Sequence, residues 1–493
     1  MLHLLNHVLT SRGRIGRNNK QLKQGEEKKT DENTSDKKDD TEENDRRDQG
    51  YTRPTVLVLL PTRGTCYTFI NQLMKMTGAE VEGEHKDRFE TDFGPMKDEE
   101  EAELDPKNER RRKEILKKKG SSWNELFGDE VNQDDDFKMG ISLTPKAAKT
   151  NAKGDMTKKS NVQVKLYTNF YKSDIVVTSP LGLKILTTPE DEDEAKECDI
   201  DFLSSIEICL MEYTDVMLMQ NWDHVNDILS LLNQEPRNNN STDFSRVRNY
   251  LLDGQGANWR QLIVSSSIMD PSILSTFKRN AKSLSGSVKV RRRVAPEDAA
   301  ISSVLVPVKQ VFQQVSSTSF EQQSDARLSY FTKTILPHIL RQKQNHTMIY
   351  IPSYFDFCSL RNVFLKREID FVTVNEYSRV SEITRGRARF VQGRKPIMLY
   401  TGRGHFFHRH LIKGVRHLIF FGLPEHADFY SEQVNLLETC NETEEDDFAA
   451  ATTVSSCLAL FTKYDAHSLE RVVGSSNCNR MVSSEKSTFM FYS

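Results

Sequence analysis

The stretch from Ile206 to Trp222, IEICLMEYTDVMLMQNW, restricts the fold of this chain more than any other. It opens with Ile206, Ile208, Cys209, Leu210 and Met211, a short apolar run of the length and content of a buried strand. Glu212 stands at the strand's end and Asp215 three residues on, before an apolar stripe of Met217, Leu218 and Met219. Strand, acid, short turn and apolar helix is the order in which parallel α/β nucleotide-binding proteins place a metal-holding carboxylate. Here Tyr213 fills the position beside Glu212 where a second carboxylate would be wanted, and a phenol cannot act as a carboxylate base.

The same unit recurs along the chain. RPTVLVLLP (53–61) is a β-branched run closed by Pro61, and TRGTCYTFINQLMKMTG (62–78) an amphipathic helix with Gly78 as its stop. Asp174–Thr178 is a further strand, with a turn at Ser179–Pro180. Gln261–Val264 is another, followed by Ser265–Ser267 and a helix opened by Pro271. The second half repeats the pattern in 346–369, 371–378 with 381–393, 396–410, and 415–424 with the helix after it. It ends with a last strand and helix at 457–474. Alternating strands and helices predict the α/β class: two tandem domains with parallel sheets, interrupted by disordered charged inserts.

The expected organisation is the end of a first-domain helix at 1–20 and a disordered insert at 21–49. A first domain at 50–294 follows, with polar inserts at 97–160 and 187–199. A linker at 295–325 carries an edge strand at VLVPV, and a second domain occupies 326–493. Residues 25–48 contain no apolar side chain, as a solvated segment requires. The N-terminal helix has only its end present, so the chain is read as beginning inside a domain. The net charge of −3 says nothing about partners, so local clusters must carry that argument. Seven scattered Cys without a Cys-x-x-Cys pair fit a reducing compartment. No apolar run reaches the length of about 18 residues that a membrane span needs.

A nucleoside triphosphatase of this class needs a glycine-rich loop ending in Lys-Ser/Thr to hold phosphates and magnesium. No Gly-Lys pair occurs anywhere in the chain. Glu212 and Asp215 are accordingly read as serving the turn and the following helix rather than a metal, and no cofactor is expected. PTRGT (61–65) and SPLGL (179–183) put turns where helix N-termini can receive phosphate. Arg385, Arg387 and Arg389, with Arg403, Arg409 and His410, add positive charge near other strand ends, where open α/β sheets bind ligands. The spacing of His405, His408 and His410 lacks the Cys or acid partners of a metal site. Ser265–Ser267 lacks the surroundings of a nucleophile and reads as a turn.

The order of these segments resembles the DEAD-box RNA helicases. PTRGT stands where they have PTREL, SPLGL where they have TPGR, EYTD where they have DEAD, and SSS where they have SAT. YTGRG (400–404) resembles their second-domain threonine segment. LIFFGLPEHADFY (418–430) resembles the lead into their arginine-finger motif, but SEQVNLL follows, without arginine. LHLLNHVLTSRGRIGRNN, LMQNWDHV, DFSRVRNYLL, HTMIYIPSYFDFCSLRN and EYSRVSEITRGRARF more specifically resemble the digestive organ expansion factor, or Utp25, family of the small-subunit processome.

That resemblance implies two tandem RecA-like domains and a nuclear, nucleolar protein required for early pre-rRNA cleavage. It implies a helicase-like fold that is not an active helicase. The implied partners are pre-rRNA, box C/D small nucleolar RNA and other processome proteins, with no membrane. The residues expected to contact the RNA backbone are Thr62, Arg63, Ser179, Gly182, Arg385, Arg389, Thr401 and Arg403. Glu212, Tyr213, Asp215, Ser265 and Ser267 are expected to be motif positions kept for the fold. The competing expectations are an active ATP-dependent RNA helicase whose phosphate loop is missing from this gene model, and a protein adaptor without RNA contact.

Overall fold

The computed structural model describes residues 1–31, 47–79, 83–95, 117, 119–128, 131–145, 162–187, 199–238, 242–437 and 455–492. The chain forms two compact units, Met1–Lys289 and Val290–Ser493.

In the first unit, α1 (Leu2–Asp31) precedes β1 (Val56–Leu59), α2 (Arg63–Thr77), α3 (Gly83–Phe93) and α4 (Ser121–Phe127). Then come β2 (Lys138–Pro145), β3 (Val162–Lys165), β4 (Ile175–Thr178) and α5 (Pro180–Thr187). The unit closes with β5 (Ile208–Met211), α6 (Thr214–Met219), α7 (Trp222–Leu231), β6 (Gln261–Val264) and α8 (Pro271–Asn280). The sheet order is β3-β2-β4-β1-β5-β6, and β4, β1, β5 and β6 run parallel.

Val56–Leu59 pair in register with Ile175–Thr178 on one side and Ile208–Met211 on the other. Alternate residues enter opposite cores. Val56 and Val58 pack with Leu4, Val8, Ile70 and Phe93, whereas Leu57 and Leu59 pack with Phe202, Val225 and Ile228. Helices on both faces are why these strands are continuously apolar rather than alternating. Gly78, at φ 62°, ends α2 as the sequence predicts.

Two expectations change here. Helix α1 runs past residue 20 to Asp31 and buries Leu4, Leu5 and Val8, while Leu2 is exposed. Part of the segment read as the insert 97–160 is folded: β2 lies in it, burying Met139, Ile141 and Leu143 and pairing antiparallel with β3 and β4. Its alternation is short and sits in polar surroundings, so it gives a weak sequence signal. The disorder expected for 32–46, 96–116, 146–161 and 188–198 lies outside the described residues.

The second unit contains β7 (Lys309–Gln314), α9 (Gln323–Tyr330), a π turn (Phe331–Ile335) and α10 (Leu336–Gln342). Next are β8 (Thr347–Ile351), α11 (Tyr354–Lys366), β9 (Phe371–Val374), α12 (Val380–Val391), β10 (Ile397–Thr401) and α13 (Gly402–His408). It ends with β11 (His417–Phe420), α14 (Ala427–Val434), β12 (Ser456–Phe461), α15 (Ala466–Val473), α16 (Ser475–Ser483) and β13 (Thr488–Tyr492). The order β13-β7-β12-β11-β8-β10-β9 is parallel except for β13. Pro337 has no N–H for the carbonyl four residues earlier, and the helix accommodates it with the π turn.

The strand in the segment read as a linker is KQVFQQ rather than VLVPV, and it lies inside the sheet rather than at its edge. Gln310 hides it from a hydropathy reading, because this polar side chain is fully buried and accepts a 2.8 Å hydrogen bond from the Tyr430 hydroxyl. The last strand is β13, whose side chains alternate between exposed and half-buried.

Candidate nucleic-acid interface

In the first unit the expected phosphate cradles are closed by the chain itself. The loop from Val131 to Phe137 crosses the carboxyl ends of β1 and β4. At the start of α2, the backbone N–H of Arg63 donates to the Asp134 carbonyl (2.8 Å) and that of Gly64 to the Asn132 carbonyl (2.8 Å). These are the amides a phosphate would need. Thr62 is buried and caps α2 reciprocally with Thr65. The Arg63 guanidinium donates to the carbonyls of Asp92 and Asp136 and pairs with Asp134.

Ser179 is fully buried, and its hydroxyl accepts from the Gly182 N–H at 2.8 Å. Gly182 is needed for a different approach from the one expected: an added Cβ would lie 2.3 Å from the Phe137 carbonyl oxygen. The exposed or half-exposed charged groups here include Asp134, Asp135, Asp136 and Glu212, with Lys138 opposite Thr178. Burial, with Asp134 and Asp136 alongside, pushes the Asp135 carboxyl above the usual carboxylate range. Thr62, Arg63, Ser179 and Gly182 are thus each engaged within the fold.

The EYTD segment is held by the strand beside it. Tyr213 adopts the left-handed conformation at φ 56°, uncommon for a bulky residue. The turn is fixed by Thr214, whose backbone N–H donates to the Ser265 carbonyl at 3.1 Å. Asp215 accepts from the Ser267 hydroxyl at 2.7 Å and from its N–H at 3.3 Å. Glu212 continues the ladder, its N–H donating to Leu59. Burial first, then Glu212, Glu125 and Asp215, raise the pKa of the Tyr213 phenol.

The second unit presents the opposite charge. At the carboxyl ends of β8, β9 and β10, the segments 352–355, 375–379 and 401–404 meet. Thr401 is buried, caps α13 by accepting from the Gly404 N–H (3.1 Å), and donates to Glu376 (2.9 Å). A Cβ on Gly402 would come within 3.0 Å of Pro352. Arg403 is partly exposed, and its Nε stands 4.0 Å from Glu376 without a hydrogen-bond partner. Helix α12 buries Ile383, Gly386 and Phe390 and turns Arg385 and Arg389 outward, one helical turn apart. Arg387 donates to the Leu411 carbonyl. Thr401 thus positions the turn that carries Arg403; Arg385 lies midway along α12, and Arg389 in its last turn, toward the amino end of β8, where Phe390 meets His346.

The histidines of GHFFHRH separate. His405 is buried: one ring nitrogen meets the Tyr400 hydroxyl and the other Glu432, both at 2.9 Å. Glu432 also pairs with Arg409. Glu432 belongs to SEQVNLL, so an acid stands in the segment where the helicase resemblance would have placed arginines. Burial lowers the pKa of His405, against the opposing pull of Glu432. His408 and His410 stack at 5.3 Å. The sequence reading missed the closing loop, this network, and exposed Arg379, Phe355 and Tyr377. The aromatics just past strand ends, in PSYF and NEYSR, were the available signal.

Tandem parallel-sheet units, the first with a strand-end acid site embedded in its own turn, define a nucleoside-triphosphatase-like scaffold. Residues 1–288 match the family described as UTP25, NTP hydrolase-like domain, and residues 300–491 the family described as Utp25, C-terminal domain. The chain belongs to the Utp25 family. It is 35% identical over 495 residues to Protein NUCLEOLAR FACTOR 1 of Arabidopsis thaliana, covering 100% of this chain and 60% of that protein. It is 34% identical over 494 residues to the U3 small nucleolar RNA-associated protein 25 homolog of Homo sapiens, covering 99% of this chain and 58% of that one. The chain thus spans about three fifths of the length of these relatives. A hypothetical ATP-dependent RNA helicase from Sulfolobus tokodaii is similar at 15% identity and a TM-score of 0.24, covering 63% of this chain and 68% of that one.

Proposed function

We propose that this chain is a non-enzymatic component of the nucleolar small-subunit processome, holding pre-rRNA or box C/D small nucleolar RNA and partner proteins for early pre-rRNA cleavage. The names of its relatives, a nucleolar factor and U3 small nucleolar RNA-associated proteins, support the nucleolar setting and the RNA partner. The absence of a Gly-Lys pair and the tyrosine beside Glu212 support a scaffold without phosphoryl chemistry. Among the described residues no helix is long and apolar enough to cross a membrane.

The observation that carries the RNA reading is the set of arginines open to solvent in the second unit, Arg403 at the carboxyl end of β10 and Arg385 and Arg389 along the outer face of α12. Guanidinium groups there pair with phosphates whatever the base sequence. Ultraviolet crosslinking of the assembled particle, with peptide mapping, tests it. Crosslinks are expected in 379–409, and crosslinks confined to other surfaces would overturn the assignment. In parallel, the full-length protein is expected to bind no nucleotide. Micromolar ATP affinity with RNA-stimulated turnover would replace this reading with that of an active helicase.

A further inference from the structure

We propose that Phe355 and Tyr377 form a stacking platform for unpaired RNA bases at the carboxyl end of the second sheet. This deepens the RNA-binding reading above and rests on it. Phe355 is 82% exposed and Tyr377 66% exposed, and neither belongs to a core cluster. Both follow a strand directly, Phe355 in the first turn of α11 after β8 and Tyr377 in the turn after β9. Large aromatics held so far into solvent cost free energy unless something covers them.

Both rings sit on fixed backbone. Ser353 caps α11 beneath Phe355. The Tyr377 N–H donates to the Asn375 side chain at 2.9 Å, and the Ser378 hydroxyl donates to the same oxygen at 2.9 Å. Tyr354 joins the two segments, edge-on to Tyr377 at 5.2 Å and stacked on Phe357 at 5.7 Å. A platform held this way loses little conformational freedom when a base lands on it.

The surroundings select the occupant. Arg379 and Arg385 are exposed on the segment that follows Tyr377, and Arg403 lies on the neighbouring turn. The nearby acids are engaged within the fold. Glu376 bonds Thr401, Asp356 is buried against Ser324 and Arg327, and Glu382 caps the N–H of Arg379. Aromatic faces interleaved with the exposed Arg379 and Arg385, and with Arg403 held 4.0 Å from Glu376, suit a single strand, whose bases stack while its phosphates meet the cations. Val380, 81% exposed, adds one apolar contact. A protein partner would be met better by a contiguous apolar centre than by separate rings set among charges.

The test is fluorescence anisotropy of the full chain with a labelled oligouridylate and with its abasic counterpart. Phe355→Ala and Tyr377→Ala are each expected to weaken oligouridylate binding roughly 5- to 100-fold. The variants Phe355→Trp and Tyr377→Trp should retain affinity, and the abasic strand should bind all variants alike. The residues are exposed, and an unchanged melting temperature would confirm that the variants fold. If the alanine variants bind oligouridylate as tightly as the parent, the platform is wrong while RNA binding stands. If the parent binds neither strand, both readings fall, and the patch belongs to a protein partner.

Discussion

The hydroxyl of Ser267 donates a 2.7 Å hydrogen bond to the carboxylate of Asp215, tying the turn after β6 to the first turn of α6. The Ser267 N–H reaches the other carboxylate oxygen at 3.3 Å. Asp215 is buried, so these bonds satisfy a group that would otherwise be costly. Its position at the helix start adds a favourable dipole interaction.

It follows that Asp215→Ala should lower stability by about 1–3 kcal/mol, the cost of losing a charged hydrogen-bond pair in a buried site. Asp215→Asn keeps an acceptor and should lose less. Thermal melts of the two variants beside the parent check this. Equal melting temperatures for all three would mean that the bracing contributes nothing.

The two sets of candidate arginines should separate cleanly. Arg385→Ala with Arg389→Ala should reduce RNA affinity and flatten its salt dependence by about 0.7 per lost contact in log K against log salt. Arg63→Ala should leave RNA affinity unchanged and reduce stability instead, by about 1–2 kcal/mol, because its guanidinium holds the closing loop. A salt titration with one labelled oligonucleotide measures the first effect, and denaturant unfolding the second.

The legible parts of this chain were those written in local chemistry. Val56–Leu59, Ile208–Met211 and Gln261–Val264 are apolar runs bounded by turn residues, and each forms a parallel strand where it was expected. The acids of EYTD are expected to serve the turn because no Gly-Lys pair accompanies them, and Asp215 accepts from Ser267. What escaped depended on distant partners. Gln310 reads as surface until Tyr430 approaches it, and β2 reads as insert until β4 pairs with it. The surroundings of Thr62 and Ser179 likewise depend on a distant segment. Both lie at strand ends, as predicted, but the loop at Asn132–Phe137 takes the amides and carbonyl contacts that a ligand would have needed.

Gly182 offers a direct measure of that closure. A methyl group there would sit 2.3 Å from the Phe137 carbonyl oxygen, a backbone atom that cannot rotate away. The same carbonyl accepts from the Ser179 N–H and the Thr178 hydroxyl, so moving it breaks two bonds. Gly182→Ala should therefore destabilise the first unit by about 1–3 kcal/mol, as overpacking does. Hydrogen exchange should quicken in β2 and α5 and stay unchanged in the second unit. Exchange spread evenly over both units would contradict a local clash.

The second unit should lose stability as the solution is acidified. Burial lowers the pKa of His405 despite Glu432, and burial with Arg416 and His346 lowers that of His417. Both rings are then neutral in the folded chain at pH values where they take a proton once unfolded. Below the unfolded value of about 6.5, the unfolded state binds more protons than the native state, and stability falls with pH. The loss begins near that value and continues until the folded groups themselves titrate. Denaturant unfolding between pH 7.5 and roughly 5 should show this slope. His405→Gln should be less stable at pH 7.5, since it disturbs the Tyr400 and Glu432 contacts, yet show a shallower slope with pH. An unchanged slope in that variant would place the proton uptake on other groups.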